Sequence, residues 1–320
     1  MSFRDIRGQD SATLFLRRSI ESGRISHAYL FAGPSGVGRR LAALDFAKAV
    51  NCLDPKAGAS CDICGQCRKI DASNHPDVII FSPAKADASF GIERIRLLER
   101  EVGLKPYEGR RKVYILDSAD AMTQEAQNAL LKTLEEPPSE SVLILITESP
   151  ASLFPTIQSR AQSVRFFPLP PEVVGSILTD LHKVDKDRAG ILSRVSSGSV
   201  GKALEYNTAD FFNIRRRVIG SLSNGAFADQ DLDGFSKPEL RLILDMVLTW
   251  YRDILVTKAF ADGSPELVNI DNLQPIREAA RRTSFGELNN AIEQVILTGS
   301  LLDRNANPKL AMSVLGMRIS

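Results

Sequence analysis

A chain of 320 residues can bury a substantial core, and its length fits two or three domains. With 40 basic and 39 acidic residues the net charge is +1, which excludes a protein that coats nucleic acid or a membrane surface through its overall charge, so any DNA contact must be local. The amino terminus alternates charged and apolar residues, unlike a secretory signal, and the longest aliphatic run, 142–146, is far too short to span a membrane; the expected setting is soluble and cytoplasmic, with no membrane partner.

The first apolar run, 28–32, lacks polar alternation and predicts a strand buried on both faces. It leads into Gly33-Pro34-Ser35-Gly36-Val37-Gly38-Arg39-Arg40 and then a helical pattern over 39–50 with apolar Leu41, Leu44, Phe46 and Val50. Strand, glycine loop and helix in this order form the context in which backbone amides cradle a phosphate. A working loop closes with Lys, which reaches the β/γ-phosphates, and with Ser or Thr, whose hydroxyl binds Mg²⁺. Here those positions hold Arg39 and Arg40, on a frame kept by Gly33, Gly36 and Gly38. The loop is therefore expected neither to hydrolyse ATP nor to bind Mg-ATP in the usual way, although the Arg39 guanidinium is a good partner for phosphate.

All four cysteines come next, at Cys52, Cys61, Cys64 and Cys67. Two-residue gaps let neighbouring thiolates converge on one tetrahedral ion, and four sulfurs close its coordination sphere, so this segment predicts a structural Zn²⁺ module. Free thiols, two disulfides and a [4Fe–4S] cluster are the alternatives. His75 is expected to be plain structure rather than a ligand, and Asp62, Gln66, Arg68 and Lys69 to be solvated.

Further strand-like runs cover 78–81, 113–116, 142–146 and 164–167. Between them Thr123 is a plausible N-cap for a helix through Leu134, with Ala126, Leu130 and Leu134 at four-residue spacing, stopped by Pro137-Pro138. Strands alternating with helices predict an α/β domain with a parallel sheet, the cysteine segment being an insertion at about 50–75. In such sheets ligands lie beyond the carboxyl ends of the strands. Asp117 ends the third run where a Walker B aspartate would hold Mg²⁺ through water, but the next residue, where an acid would polarise the attacking water, is Ser118. Thr147 and Glu148 end the fourth run and carry no assigned role.

Pro168, Pro170 and Pro171 mark a boundary, beyond which the pattern is helical and no comparable strand follows Phe167. Gly198, Ser199 and Gly201 form a turn before a helix beginning at Lys202, and a linker follows near residue 208. Capping boxes at Ser236/Glu239 and Ser284/Glu287 open helices through about residues 260 and 297. The expected domains are 1–168, a helical 169–208 and an all-helical 209–320.

Several segments together resemble the AAA+ clamp-loader subunits of bacterial DNA polymerase III. They are Gly8-Gln9, His27-Ala28-Tyr29-Leu30-Phe31, the four-cysteine insertion, Asn74-His75-Pro76-Asp77 and Lys105-Pro106-Tyr107-Glu108-Gly109. The long motif Asn128-Ala129-Leu130-Leu131-Lys132-Thr133-Leu134-Glu135-Glu136-Pro137-Pro138 and the short Ile157-Gln158-Ser159-Arg160 belong with them. The resemblance implies a P-loop AAA+ parallel sheet with a zinc-module insertion, a small helical lid and an all-α carboxy-terminal collar that joins subunits. It implies a hetero-pentamer with motor (gamma/tau) and delta subunits, acting on the sliding clamp and primed DNA during replication. Ser159-Arg160-Ala161 stands where the family has Ser-Arg-Cys, whose arginine reaches a neighbour's ATP, so Arg160 is the expected catalytic residue, a finger working in trans. Lys202 falls in the segment used by active members as a second nucleotide sensor, but a solvated helix-start lysine accounts for it equally well. The degenerate loop favours a non-hydrolysing stator with no independent ATPase or polymerase activity. The alternatives are an ATP-hydrolysing motor subunit with an unusual Arg39 site, and a zinc-stabilised DNA-binding adaptor, which the net charge does not favour.

Overall fold

In the computed structural model, which describes residues 3, 5–83, 89–224, 227, 235–260, 267–304 and 306–319, the apolar runs without alternation form one five-stranded sheet. Parts of the alternating amino terminus, Met1, Ser2 and Arg4, lie outside the described residues. The strands β1 (Ala28–Ala32), β2 (Val78–Phe81), β3 (Lys112–Leu116), β4 (Ser141–Thr147) and β5 (Gln162–Arg165) are all parallel, in the order β2-β3-β4-β1-β5. Every residue of β1, β3 and β4 is buried, as strands covered on both faces require.

Alternate side chains feed two cores. Tyr29 and Phe31 of β1 join Ile115 and Ile144 against Leu16 of α1 (Asp10–Glu21) and Phe46 of α2 (Arg39–Asn51). On the other face Leu30, Leu116 and Leu145 pack with Leu98 of α4 (Ile92–Val102) and Leu130 of α5 (Gln124–Glu135). The short α3 (Gly65–Asp71) lies in the cysteine segment, and α6 (Pro155–Gln158) precedes β5. The Thr123 hydroxyl accepts the Ala126 N–H at 3.2 Å and starts α5 as expected.

One strand differs from its sequence expectation. The run 164–167 predicts the last strand, whereas β5 is Gln162–Arg165, with Tyr29 opposite Gln162 and Ala32 opposite Arg165. An edge strand has fewer neighbours to bury it, and three of its four residues are exposed, so its apolar signal is weak. Phe166 follows the strand, donates its N–H to the Ala32 carbonyl at 2.7 Å and packs on Phe31 with ring centroids 5.3 Å apart.

The chain divides into two compact units, one of residues 1–173 with Gly198–Gly201, the other of Val174–Ser197 with residues 202–320. Among the described residues no strand follows β5. The remaining helices are α7 (Pro171–Asp180), α8 (Lys186–Val195), α9 (Val200–Glu205), α10 (Ala209–Ser223), α11 (Lys237–Ala259), α12 (Leu273–Arg282), α13 (Phe285–Asp303) and α14 (Pro308–Ile319). Both capping boxes are present, and α13 runs past residue 297 because Leu302 continues its buried face. No described helix is long and apolar enough to cross a membrane.

Two buried carboxylates pin irregular backbone. The Asp253 side chain in α11 is fully buried and accepts the N–H groups of Val268 and Asn269, the latter at 2.7 Å. In the first unit Asp77, which follows the cysteine module, accepts the backbone N–H groups of Tyr107, Glu108 and Gly109 at 2.7, 2.9 and 2.7 Å. Burial pushes the Asp77 carboxyl up, but those three donors outweigh it and hold the group below the usual carboxylate range. Such a group stabilises the fold above its unfolded pKa of about 4 and loses that contribution as pH falls through the lower folded value. We expect urea midpoints to fall below about pH 4, with a shallower acid slope in Asp77→Asn; an unchanged slope would show that this carboxylate is not part of the linkage.

Candidate functional site

The glycine loop leaves the carboxyl end of β1, which lies between β4 and the edge strand β5, and Gly33 donates its N–H to the Thr147 carbonyl at the end of β4, 3.2 Å away. Gly36 has φ 69°, and a Cβ there would lie 2.8 Å from the Gly201 Cα, so only glycine fits without displacement. The Gly201 N–H donates to the Gly36 carbonyl at 3.1 Å, fastening the segment Gly198–Gly201 on the loop. Gly38, left-handed at φ 102°, is the N-cap of α2, which has no side-chain cap and no acid in its first turn. The phosphate-loop frame is therefore present in shape.

Its chemistry differs from that of a working site. Arg39 is 8% exposed, and its Nη2 lies 3.4 Å from Glu148 Oε1, at the end of β4. Its buried Nη1 has no hydrogen-bond partner. Burial lowers the Arg39 pKa from its ordinary value, while Glu148, Asp117 and Asp120 oppose that fall, so three carboxylates surround the guanidinium. Arg40 donates to Asp117 Oδ2 at 3.1 Å. Thus the aspartate that would face a metal ion through water faces a guanidinium. Ser118 follows in a left-handed turn at φ 61°, and Asp120 accepts the Glu148 N–H at 3.2 Å. Sequence reasoning gave Glu148 no role; its place directly after a buried strand, opposite the glycine loop, was the available signal.

Arg160 follows α6 on the stretch Ser159-Arg160-Ala161, with Ala161 buried behind it. Its side chain is 37% exposed, with Nη2 3.0 Å from Glu135 Oε1, and Nη1 donates to the Thr156 carbonyl at 3.2 Å. The long motif thus contributes Glu135, at the end of α5, as the anion on which the arginine rests. Lys202 is exposed on α9, and its charge is felt by Asp245 of the same unit.

The four cysteines converge. Their sulfurs lie within 4.8 Å of one another and none is in a disulfide. For comparison, sulfurs about 2.3 Å from a shared tetrahedral ion would be about 3.8 Å apart. Cys52 and Cys67 are fully buried, and the N–H groups of Cys61 and Cys64 point at the sulfurs of Cys52 and Cys61, at 3.2 and 3.4 Å. The Cys64 thiol is brought down to about 6; burial opposes the fall, and backbone hydrogen bonds involving Cys67 and Leu53 outweigh it. Four sulfurs this close, with amide donors on two of them, fit a closed thiolate site for Zn²⁺.

His75 is outside the cluster. Its Nδ1 accepts the Asp77 N–H at 3.0 Å and its Nε2 meets Gln66 Oε1, so the imidazole is neutral, with burial lowering its pKa. Of the polar residues expected to be solvated, Arg68 and Lys69 are exposed, Lys69 while pairing with the Glu108 carboxylate, whereas Asp62 binds Lys48 and Gln66 donates to the Glu108 carbonyl at 3.1 Å. Composition could not reveal these pairings, because their partners come from α2 and from the loop that Asp77 pins.

Residues 8–170 match the family model described as DNA polymerase III, delta subunit. The chain is 34% identical over 303 residues to the DNA polymerase III subunit delta' of Bacillus subtilis, covering 91% of this chain and 90% of the relative. It is 28% identical to the gamma/tau subunit of Mycobacterium tuberculosis, across 99% of this chain but only 61% of that longer protein. A solved gamma subunit-related protein of Thermotoga maritima aligns with 95% of the chain and 97% of its own length at a TM-score of 0.47 and 20% identity. With the parallel sheet, the phosphate-loop frame and the cysteine insertion in place, the family model and the delta-prime relative establish that the chain belongs to the delta-prime subunit family of DNA polymerase III.

Proposed function

We propose that the chain is a non-hydrolysing stator of a bacterial clamp loader: it assembles with gamma/tau and delta subunits and supplies Arg160 to a neighbour's ATP. In the same reading it supports loading of the sliding clamp on primed DNA. The observation that carries the non-hydrolysing part is the pair of contacts Arg39–Glu148 and Arg40–Asp117 at the carboxyl ends of β4 and β3. In a working phosphoryl-transfer site, Mg²⁺ and lysine neutralise the developing charge and a positioned acid orients water. Here two guanidinium groups occupy the carboxylates and Ser118 cannot take a proton as a carboxylate does, so the carboxylates at these strand ends are engaged by the chain's own arginines rather than free for a metal ion.

The finger part rests on the placement of Arg160 beside an exposed carboxylate, where a guanidinium can exchange one anion for another. The collar and lid readings of 209–320 and 169–208 rest on the helices of their described residues, among which no strand occurs, a character that suits packing between subunits better than chemistry. Cys52, Cys61, Cys64 and Cys67 would hold a structural Zn²⁺, which supplies cross-linking of the insertion and no open coordination position. A cytoplasmic setting follows from the replication role.

The test of the non-hydrolysing reading is equilibrium binding of Mg-ATP to the purified chain. We expect no saturable binding at millimolar nucleotide and no hydrolysis. Saturable binding with turnover would make the chain a motor subunit, in line with its 28% identity to gamma/tau.

A further inference from the structure

We propose that Lys48 is a positioning residue of the metal module, a buried ammonium that gathers the three segments carrying all four cysteines. Its side chain is 1% exposed, and its Nζ lies 2.8 Å from Asp62 Oδ1, 3.0 Å from Asp71 Oδ1 and 3.2 Å from Asp45 Oδ1. An ammonium has three N–H donors, and three carboxylates meet it. Each carboxylate stands on a different ligand-bearing piece. Asp45 and Lys48 lie on α2, which ends at Asn51 directly before Cys52. Asp62 follows Cys61 and is also held by the Ser60 hydroxyl at 2.7 Å. Asp71 closes α3, which starts at its N-cap Cys64 and contains Cys67.

A buried ammonium is tolerable only with anionic partners, and removing it leaves three carboxylates crowded together and repelling. Lysine and its three aspartates thus specify how close α2, the segment of Cys61 and Asp62, and α3 must come, which is the spacing the sulfurs need. Groups that fix ligands from outside the coordination sphere commonly alter metal affinity 10- to 100-fold. This proposal rests on the reading of the four cysteines as a zinc site, and the experiment separates the two.

The test is zinc release from the full-length chain under native conditions, followed with the chromophoric chelator 4-(2-pyridylazo)resorcinol, for wild type, Lys48→Met and Asp71→Asn. Cobalt-substituted absorption spectra and urea midpoints of the metal-free forms are recorded alongside. Wild type should release one zinc per chain slowly, and both variants should release it about tenfold faster or more, with a weakened or shifted cobalt–thiolate spectrum. A lysine with only a general packing role would lower the urea midpoint while leaving release from the folded chain and the cobalt spectrum unchanged, and that outcome overturns the proposal. If Lys48→Met does not fold, Asp71→Asn decides, because Asp71 is 42% exposed and its loss frees only α3. A wild-type chain that purifies and reconstitutes without zinc would overturn the zinc reading itself.

Discussion

Arg160→Ala is expected to leave assembly of the clamp loader intact and to slow hydrolysis at the neighbouring ATP site that the arginine faces by two orders of magnitude or more. Arginine fingers are worth roughly 10³–10⁵ in rate because a guanidinium placed against the transferring phosphoryl group stabilises charge that appears only in the transition state. Steady-state turnover of a loader with several ATP sites would fall less, so the full effect should be read in single-turnover hydrolysis. In the isolated chain Arg160 rests on Glu135 at 3.0 Å and on the Thr156 carbonyl, a partly exposed arrangement from which it can swing to a phosphate. Arg160→Lys should be intermediate, since an ammonium keeps the charge but not the planar fork. The measurement is single-turnover hydrolysis by complexes reconstituted with each variant. Equal rates in wild type and Arg160→Ala would remove the finger from the account.

The second large effect is on stability. Stripping zinc with a chelator, or replacing Cys64 with serine, should lower the melting temperature of the first unit by on the order of 10 °C, because metal binding to such thiolate modules is itself folding free energy. Cys52 and Cys67 are fully buried, so removing the ion leaves thiols clustered in the interior with no shared partner. Differential scanning calorimetry of holo, stripped and zinc-restored protein reads the effect. An unchanged transition in protein verified as metal-free would show that the cysteines are not cross-linked by a metal.

How legible these features were in sequence depended on how local their physics is. β1, β3 and β4 announce themselves because strands buried on both faces need continuous apolar residues, β2, at the other edge, because its partly buried Val78, Ile79 and Ile80 still pack against both cores, and Thr123 announces α5 because an N-cap is a contact three residues long. β5 sits at the edge of the sheet with only Val164 buried, so the flanking Phe166 and Phe167 drew the sequence reading two residues too far. The cysteine cluster follows from spacing, whereas α3 hides inside it because seven residues are too few to show periodicity.

The site was legible in what it lacks and illegible in what replaces it. Arg39, Arg40 and Ser118 mark the missing lysine, hydroxyl and acid directly in the chain. Their partners do not: Glu148 is 109 positions from Arg39, and Asp117 is 77 from Arg40. Lys48 lay closer to view. It stands three residues after Asp45 on the buried face of a helix otherwise packed with Ala42, Phe46 and Ala49, and a charge in that position calls for a buried counterion.

Whether this subunit works without a nucleotide of its own is decided inside the assembled loader, where neighbouring subunits can complete a nucleotide site. Complexes reconstituted with the clamp and primed DNA are incubated with a photoreactive azido-ATP and Mg²⁺, irradiated, and the labelled subunits separated. Label is expected on the gamma/tau subunits and none above background on this chain, in wild type and in Arg160→Ala alike. ATP-competable label on Arg39, Arg40 or the adjoining glycine loop would contradict that expectation.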